Sequence, residues 1–320
     1  MKHCNDAPAL DTPAWLDRVW YEKPVSQEEA EAFCRTLAQH HYENFTVASL
    51  LLPAELRQHF YNVYAYCRIA DDLADELVTR ALSLERLQEW ETHLERCYKG
   101  DATHPVFVAL RPTIDLFRIP KEPFAALLAA FRQDQYRTRY DSWEELLGYC
   151  EKSANPVGRL VLYLCGYRDE IRQRLSDATC TALQLTNFWQ DVGTDYAKGR
   201  IYIPQAMLSE HGYSEQMLSQ KLVNEAWVSL MKDLLARTRP LFDRGLELCA
   251  LVRGRVRLDI ELFSRGGLQI LRAIENSGYD TLRRRPKLTR WTEGRLVLEA
   301  LLHSLLPRGS NGLRRGRKAA

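Results

Sequence analysis

Apolar residues recur at spacings of three and four along almost the whole chain, and sustained alternation with β-branched enrichment is nearly absent. That period puts the apolar side chains on helical stripes, so the predicted fold is all-α. Ser26 followed by Glu29, and Asp141 followed by Glu144, have the spacing in which a side-chain oxygen and a carboxylate satisfy the open amides of a first turn. Helices are therefore expected to begin near 26 and 141. Pro53 suits the first turn of another helix, running through Phe60, Val63, Tyr64 and Cys67 to about Val78, because a missing N–H costs nothing there. Further helices are expected over about 83–98, 105–117, 121–139, 168–197, 221–252, 255–277 and 291–306. Pro156 and Gly158 fall inside the 141–166 pattern and predict a kink. The only strand-like segment is Ile201–Ile203.

At 320 residues and 46% hydrophobic, the chain can bury one large core, which excludes general disorder. No repeat or Gly/Ser linker divides it, so a single domain over 1–306 is expected. Residues 307–320 hold Arg308, Arg314, Arg315, Arg317 and Lys318 with no acid, the pattern of a basic, disordered tail. The 44 Lys and Arg nearly cancel the 42 Asp and Glu, so no global field steers the protein toward nucleic acid, and no such partner is expected. No stretch approaches the roughly 18 uncharged residues of a membrane helix, and the first twenty residues lack an apolar signal core; a cytoplasmic location is expected. The eight cysteines form no C-x-x-C pair and several sit in apolar helical runs, which argues against a disulfide framework or a zinc site.

Two segments carry chemistry. In CRIADDLADE, from 67 to 76, Arg68, Asp71 or Asp72, and Asp75 fall on one helical stripe with Tyr64 just before the segment. In LQLTNFWQDVGTDYAKGRIYIP, from 183 to 204, Gln184, Asn187, Asp191 and Asp195 do the same. A single aspartate pair at i and i+4 is ordinarily a solvated helix face. Two such stripes, each flanked by Leu, Ile and aromatic residues that draw the helix into a core, need a compensating cation. Mg²⁺ takes oxygen ligands and bridges carboxylates to substrate phosphates, so two facing acidic helices suit a diphosphate. Arg68, Lys198 and Arg200 lie beside the stripes, and Arg283, Arg284, Arg285 and Lys287 form a second basic cluster. Arg68 also has the spacing to pair with Asp71 or Asp72 in its own helix.

These motifs, with ENFTVASLLLP at 43–53 and YCEKSANPVGRLVLYLCG at 149–166, resemble in order and spacing the signatures of the squalene and phytoene synthase family, over about residues 40–290. The wording ENF-x-VAS, SANPVGRL and NF-x-QDV is most similar to the bacterial hydroxysqualene synthase branch of hopanoid biosynthesis. The resemblance implies an isoprenoid-synthase helical bundle around an apolar cavity, and conversion of presqualene diphosphate and water to hydroxysqualene and diphosphate. It implies Mg²⁺ as cofactor, no NADPH, a prenyl diphosphate substrate, hand-over with other enzymes of the squalene pathway, and room for peripheral contact with the inner membrane face.

Residue by residue, the resemblance implies that Asp71, Asp75, Asp191 and Asp195, with Asn187, bind metal. Gln184 shares their face. Tyr64, Arg68, Arg200 and Tyr202 match diphosphate-side residues, Tyr149 the reacting centre, and Phe45, Ala154, Val157 and Gly158 the prenyl cavity. Asp72 and Glu76 are motif neighbours. This chain departs from many relatives at Gln190, where they carry Arg, and at Glu43 and Asn44. Fewer cations beside the phosphates suit an enzyme that handles one diphosphate rather than two. The alternatives are a head-to-head condensing enzyme making presqualene diphosphate, squalene or phytoene, and a catalytically silent helical subunit.

Overall fold

The computed structural model describes residues 25–40 and 54–287, except for the side chain of Arg255, and among them it contains helices and no strand. Pro53, the expected helix over 291–306 and the basic tail lie outside the described residues. Helix α1 (Gln27–His40) starts as predicted. The Ser26 amide donates to Glu29 Oε2 at 2.9 Å and the Glu29 amide to Ser26 Oγ at 3.3 Å, a cap that contributes about 1 kcal/mol. Helix α2 (Ala54–Asp75) carries the first acidic stripe. Helix α3 (Arg80–Lys99) is capped by Thr79 and stopped by Gly100, whose φ of 85° is the left-handed conformation that glycine adopts without a Cβ penalty. Helices α4 (Pro105–Phe117) and α5 (Glu122–Asp134) follow, then α6 (Trp143–Ser153), α7 (Asn155–Leu164) and α8 (Glu170–Gln190). Helix α9 (Val192–Ala197) and the short α10 (Gln205–Glu210) and α11 (Glu215–Ser219) lead to α12 (Glu225–Leu246), a 3₁₀ turn (Glu247–Ala250) and α13 (Gly254–Asn276).

Four expectations are corrected. The second capping box is shifted by one residue: Ser142 Oγ accepts from the Glu145 amide at 3.2 Å, and Glu145 Oε2 accepts from the Asp141 amide at 2.8 Å. Ala154 does more than kink a helix. With Pro156 unable to donate a backbone hydrogen bond, Ala154 separates α6 from α7. Helix α5 stops at Asp134 rather than running to 139. Residues Ile201–Ile203 form no strand, and the Ile201 amide donates to the Thr138 carbonyl at 2.9 Å in an irregular segment.

Two apolar clusters build the interior. One gathers α1 to α4 with Tyr66, Trp90, Phe107 and Phe124, and the other gathers α6, α8, α12 and α13 with Trp189, Trp227 and Phe242. Helix α5 joins them, because Phe124, Leu127 and Leu128 pack in the first and Ala130 in the second. Two of the large buried aromatics find polar partners on neighbouring helices: Trp189 Nε1 donates to Thr238 Oγ1 at 2.9 Å, and Tyr66 Oη to the Phe124 carbonyl at 3.0 Å. The last residue of α5, Asp134, therefore emerges where the two clusters meet. No helix among the described residues is long and apolar enough to cross a membrane.

Candidate active site

The first acidic stripe leaves α2 with its carboxylates already sorted. Asp72 is buried, at 1% side-chain exposure, and pairs with Arg68, which also lies 3.6 Å from Asp71 and 3.4 Å from Glu76. Arg68 thus neutralises its own helix, as its spacing allowed. Asp71 is half-buried and Asp75 exposed. Burial, with Asp75 crowding it, pushes the Asp71 carboxyl up to about 6. Tyr64 lies one turn before Arg68 on the same stripe, and burial raises its hydroxyl.

The second stripe bends at its first aspartate. Asp191 is the residue between α8 and α9, with φ −105° and ψ 12°. Helical hydrogen bonds continue through the bend, from the Asp191 amide to the Asn187 carbonyl at 2.9 Å and from the Asp195 amide to the Asp191 carbonyl at 2.8 Å. Asn187, Asp191 and Asp195 therefore stay in helical succession, with the half-buried Gln184 one turn before. Burial, with Asp191 beside it, pushes Asp195 up to about 7.

Arg200 links the two stripes. Its Nη2 donates to Asp75 Oδ1 at 3.1 Å, across 125 residues of sequence. Beyond it, Tyr202 stacks on Phe188 with ring centroids 3.8 Å apart and an interplanar angle of 9°, and Tyr140 and Tyr149 each lie 5.9 Å from Tyr202. Tyr149 is buried and its hydroxyl donates to Asp134 Oδ2 at 2.8 Å. Burial pushes Asp134 up to about 7, against the Tyr149 hydrogen bond and the Arg200 charge, which hold it down. Asp71 and Asp75 act on the same carboxyl, so α5 delivers a further acid between the aromatic cluster and the first stripe.

An apolar cavity of about 300 Å³ runs along α7, α8 and α13, lined by Val157, Gly158, Val161, Leu183, Phe263 and the α2 residue Phe60 among others. Val157 and Gly158, which the resemblance placed at the prenyl cavity, both line it. A Cβ on Gly158 would run into Ser176 Oγ and Cys180 Sγ, so glycine is what lets α7 close on α8 there. Ala154 sits at the α6–α7 junction, 9% exposed. Phe45, with Glu43 and Asn44, lies outside the described residues.

Sequence reasoning missed Asp134, Tyr140 and Phe188, and it did not see what holds Asp191. Arg285 grips Asp191 with two guanidinium nitrogens, Nη2 at 3.0 Å from Oδ2, and Gln190 donates to the Pro286 carbonyl. Gln190 is 4% exposed. It is a buried tether, and its amide is committed to the chain.

Among the described residues no three His, Cys, Asp or Glu side chains converge closely enough to chelate one ion. Mg²⁺ needs no such cage, since it is commonly held by one or two carboxylates together with substrate phosphates. Paired hard oxygen donors on two facing helices fit that pattern.

The raised carboxyl of Asp195 also affects stability in the metal-free protein. Asp195 titrates at about 7 when folded against an ordinary 3.8, so its ionisation costs folding free energy. That cost is absent below about 3.8, grows as pH rises from there to about 7, and is constant above. Asp195→Asn should therefore gain melting temperature over the unsubstituted protein between about pH 5 and 8 in chelator, and an equal difference at both ends would contradict the shift.

A model of the squalene/phytoene synthase family matches residues 38–292. The phytoene synthase of Arthrospira platensis is 31% identical over 281 residues, covering 84% of this chain and 91% of the relative. A 15-cis-phytoene synthase from Synechocystis is 34% identical over 231 residues, 68% of each chain. Among solved structures, squalene synthase HpnC from Alicyclobacillus acidocaldarius is 44% identical with a TM-score of 0.77, covering 80% of this chain and 97% of that one. A dehydrosqualene synthase solved with a ligand is 26% identical with the same TM-score, covering 87% of this chain and 97% of that one.

Proposed function

Because the chain belongs to the squalene/phytoene synthase family, whose members act on prenyl diphosphates, we propose that it converts presqualene diphosphate and water to hydroxysqualene and diphosphate. The observation that carries this reading is the state of the cations. Arg68 is committed to Asp72, Arg200 to Asp75 and Arg285 to Asp191, while the position before Asp191 is a neutral amide bound to Pro286. Condensing two farnesyl diphosphates would set two diphosphates beside these cations, and Gln190 adds no further charge, so the arrangement favours a reaction that handles one. The 44% identity to squalene synthase HpnC, against 34% for the Synechocystis phytoene synthase, supports the squalene side of the family over the phytoene side.

Divalent ions such as Mg²⁺, held by Asp71 and Asp75 on one side and by Asp191, Asp195 and Asn187 on the other, would draw charge off the departing diphosphate. Lys198 and Tyr64 flank that position and would orient the phosphates, joined by Arg200 once metal relieves it of Asp75. The apolar cavity takes the prenyl chains and keeps bulk water from the cation formed when the diphosphate leaves. Tyr149, Phe188 and Tyr202 cluster beside the acidic face rather than in the cavity wall, and would offer π faces to a cation formed there, an attraction of about 2 kcal/mol when desolvated. Asp134 takes the hydrogen bond of the Tyr149 hydroxyl, leaving the phenolic lone pairs to hold the single water that quenches it. No step calls for a reductant.

A second reading, head-to-head condensation, is favoured by the phytoene synthases among the relatives. Purified protein with Mg²⁺ and no NADPH, given presqualene, farnesyl and geranylgeranyl diphosphates separately, tests the choice by mass spectrometry of extracted products. Turnover of presqualene diphosphate alone is expected. Consumption of farnesyl or geranylgeranyl diphosphate would replace the proposal with condensation.

A further inference from the structure

Residues 280–286 are strapped across the α8–α9 junction by three contacts. The Gly193 amide donates to the Thr281 carbonyl at 3.2 Å, Gln190 to the Pro286 carbonyl, and Arg285 to Asp191. Gly193 is required there, since a Cβ would collide with the Leu282 carbonyl. Between strap and junction lies a second cavity of about 150 Å³, lined by Gln190, Gly193, Thr194 and Lys221 and by residues 281–285. Its wall contains four cations, Lys221, Arg283, Arg284 and Arg285, and no carboxylate.

Only part of that charge is met elsewhere. Arg285 pairs with Asp191, and Arg283 lies 3.8 Å from Asp280. Lys221 and Arg284 are exposed and have no acidic partner among the described residues. Lys221 reaches the wall from a left-handed backbone conformation, φ 51°, that a side chain other than glycine rarely adopts. Thr281 is 2% exposed, and its hydroxyl finds no hydrogen-bond partner among the described residues. Four like charges around one small cavity repel one another, and an oxyanion that accepts hydrogen bonds from several of them relieves that cost. Thr194, next to Asp195, lines the cavity, while Asp191 and Asp195 are not among its lining residues. Arg285 is the residue common to both, since it lines this cavity and grips Asp191.

We propose that this cavity binds a small phosphate-class oxyanion, and that its ligand is inorganic diphosphate released from the adjacent acidic face. The choice of ligand rests on the diphosphate-releasing reaction proposed above. The site becomes a first stop for the leaving product, reached without crossing the apolar cavity, and Arg285 marks the boundary between the two.

Calorimetric titration of inorganic diphosphate into the full-length protein in chelator isolates this site. Without metal, the acidic face lacks the ions that would draw diphosphate to its carboxylates, and Arg200 and Arg285 there are held by Asp75 and Asp191. Saturable binding is expected, weakened at least about tenfold, or about 1.4 kcal/mol, by Lys221→Ala combined with Arg284→Ala. Both side chains are exposed, so the fold should be unaffected, and Lys198→Ala should leave the affinity unchanged. No binding in chelator, or binding indifferent to the double substitution, would overturn the proposal. Flotation with phosphatidylglycerol vesicles tests the other source of phosphate. Vesicle binding that needs Lys221 and Arg284, in the absence of diphosphate binding, would replace the assigned ligand with a lipid headgroup. The titration needs no turnover, so failure to make hydroxysqualene would leave its outcome standing.

Discussion

Asp191→Ala should lower turnover of presqualene diphosphate by about three orders of magnitude while leaving the helical circular-dichroism spectrum intact. Two roles for Asp191 must be separated, because its carboxylate both faces the proposed metal position and receives Arg285. If its service were only to anchor the strap, Arg285→Ala would be as damaging. As a metal ligand, Asp191 is instead balanced by Arg285 only until metal and substrate take over, and Arg285→Ala should cost no more than about tenfold, or about 1.4 kcal/mol of barrier. Equal losses in the two variants, or residual activity above a few per cent in Asp191→Ala, would remove Asp191 from the ligand set.

The second large effect is expected at a residue that sequence reasoning passed over. Asp134→Asn keeps the size of the side chain and loses the charged acceptor of the Tyr149 hydroxyl, a charge-assisted hydrogen bond in a buried setting. A fall in kcat of about a hundredfold is expected, in the range by which a positioned proton-handling group contributes. Tyr149→Phe removes the other partner of the same bond. The two substitutions together should therefore cost little more than either alone, since residues in one hydrogen-bonded unit do not add. Additive losses would mean that Asp134 and Tyr149 act separately. Because Asp134 titrates at about 7, kcat should also fall as pH drops below about 7 in the unsubstituted protein, and Asp134→Asn should flatten that limb.

Asp134 escaped notice for a physical reason. Phe124, Leu127 and Phe131 form an apolar stripe on α5, and Asp134 continues it three residues on, so an acid stood on the buried face of a helix. The signal was present. It was obscured because residues 132–139, RQDQYRTR, are polar but for Tyr136, which made the helix look longer and its acid look solvated. The acidic stripes were legible for the opposite reason, as repeated aspartates among Leu, Ile and aromatic residues break a local expectation twice in one chain. The helical class was legible from period alone. Helix ends were less so, as Ser142 rather than Asp141 supplies the cap and Asp191 interrupts what reads as one helix from 168 to 197. Long-range pairings left no trace in the sequence. Arg200 reaches Asp75 over 125 residues and Arg285 reaches Asp191 over 94, and neither separation can be inferred from spacing within a helix. Gln190 shows the limit most plainly, since a missing cation was readable in the sequence and a buried tether to Pro286 was not.

At the centre of the proposed reaction, one water admitted beside Tyr149 ends the path of a prenyl cation. Turnover of presqualene diphosphate by the metal-loaded protein in water enriched in heavy oxygen, without NADPH, tests that step most directly. Hydroxysqualene carrying the heavy label in its hydroxyl group, at the enrichment of the solvent, is the expected product. A hydrocarbon product, or an alcohol without the label, would contradict it.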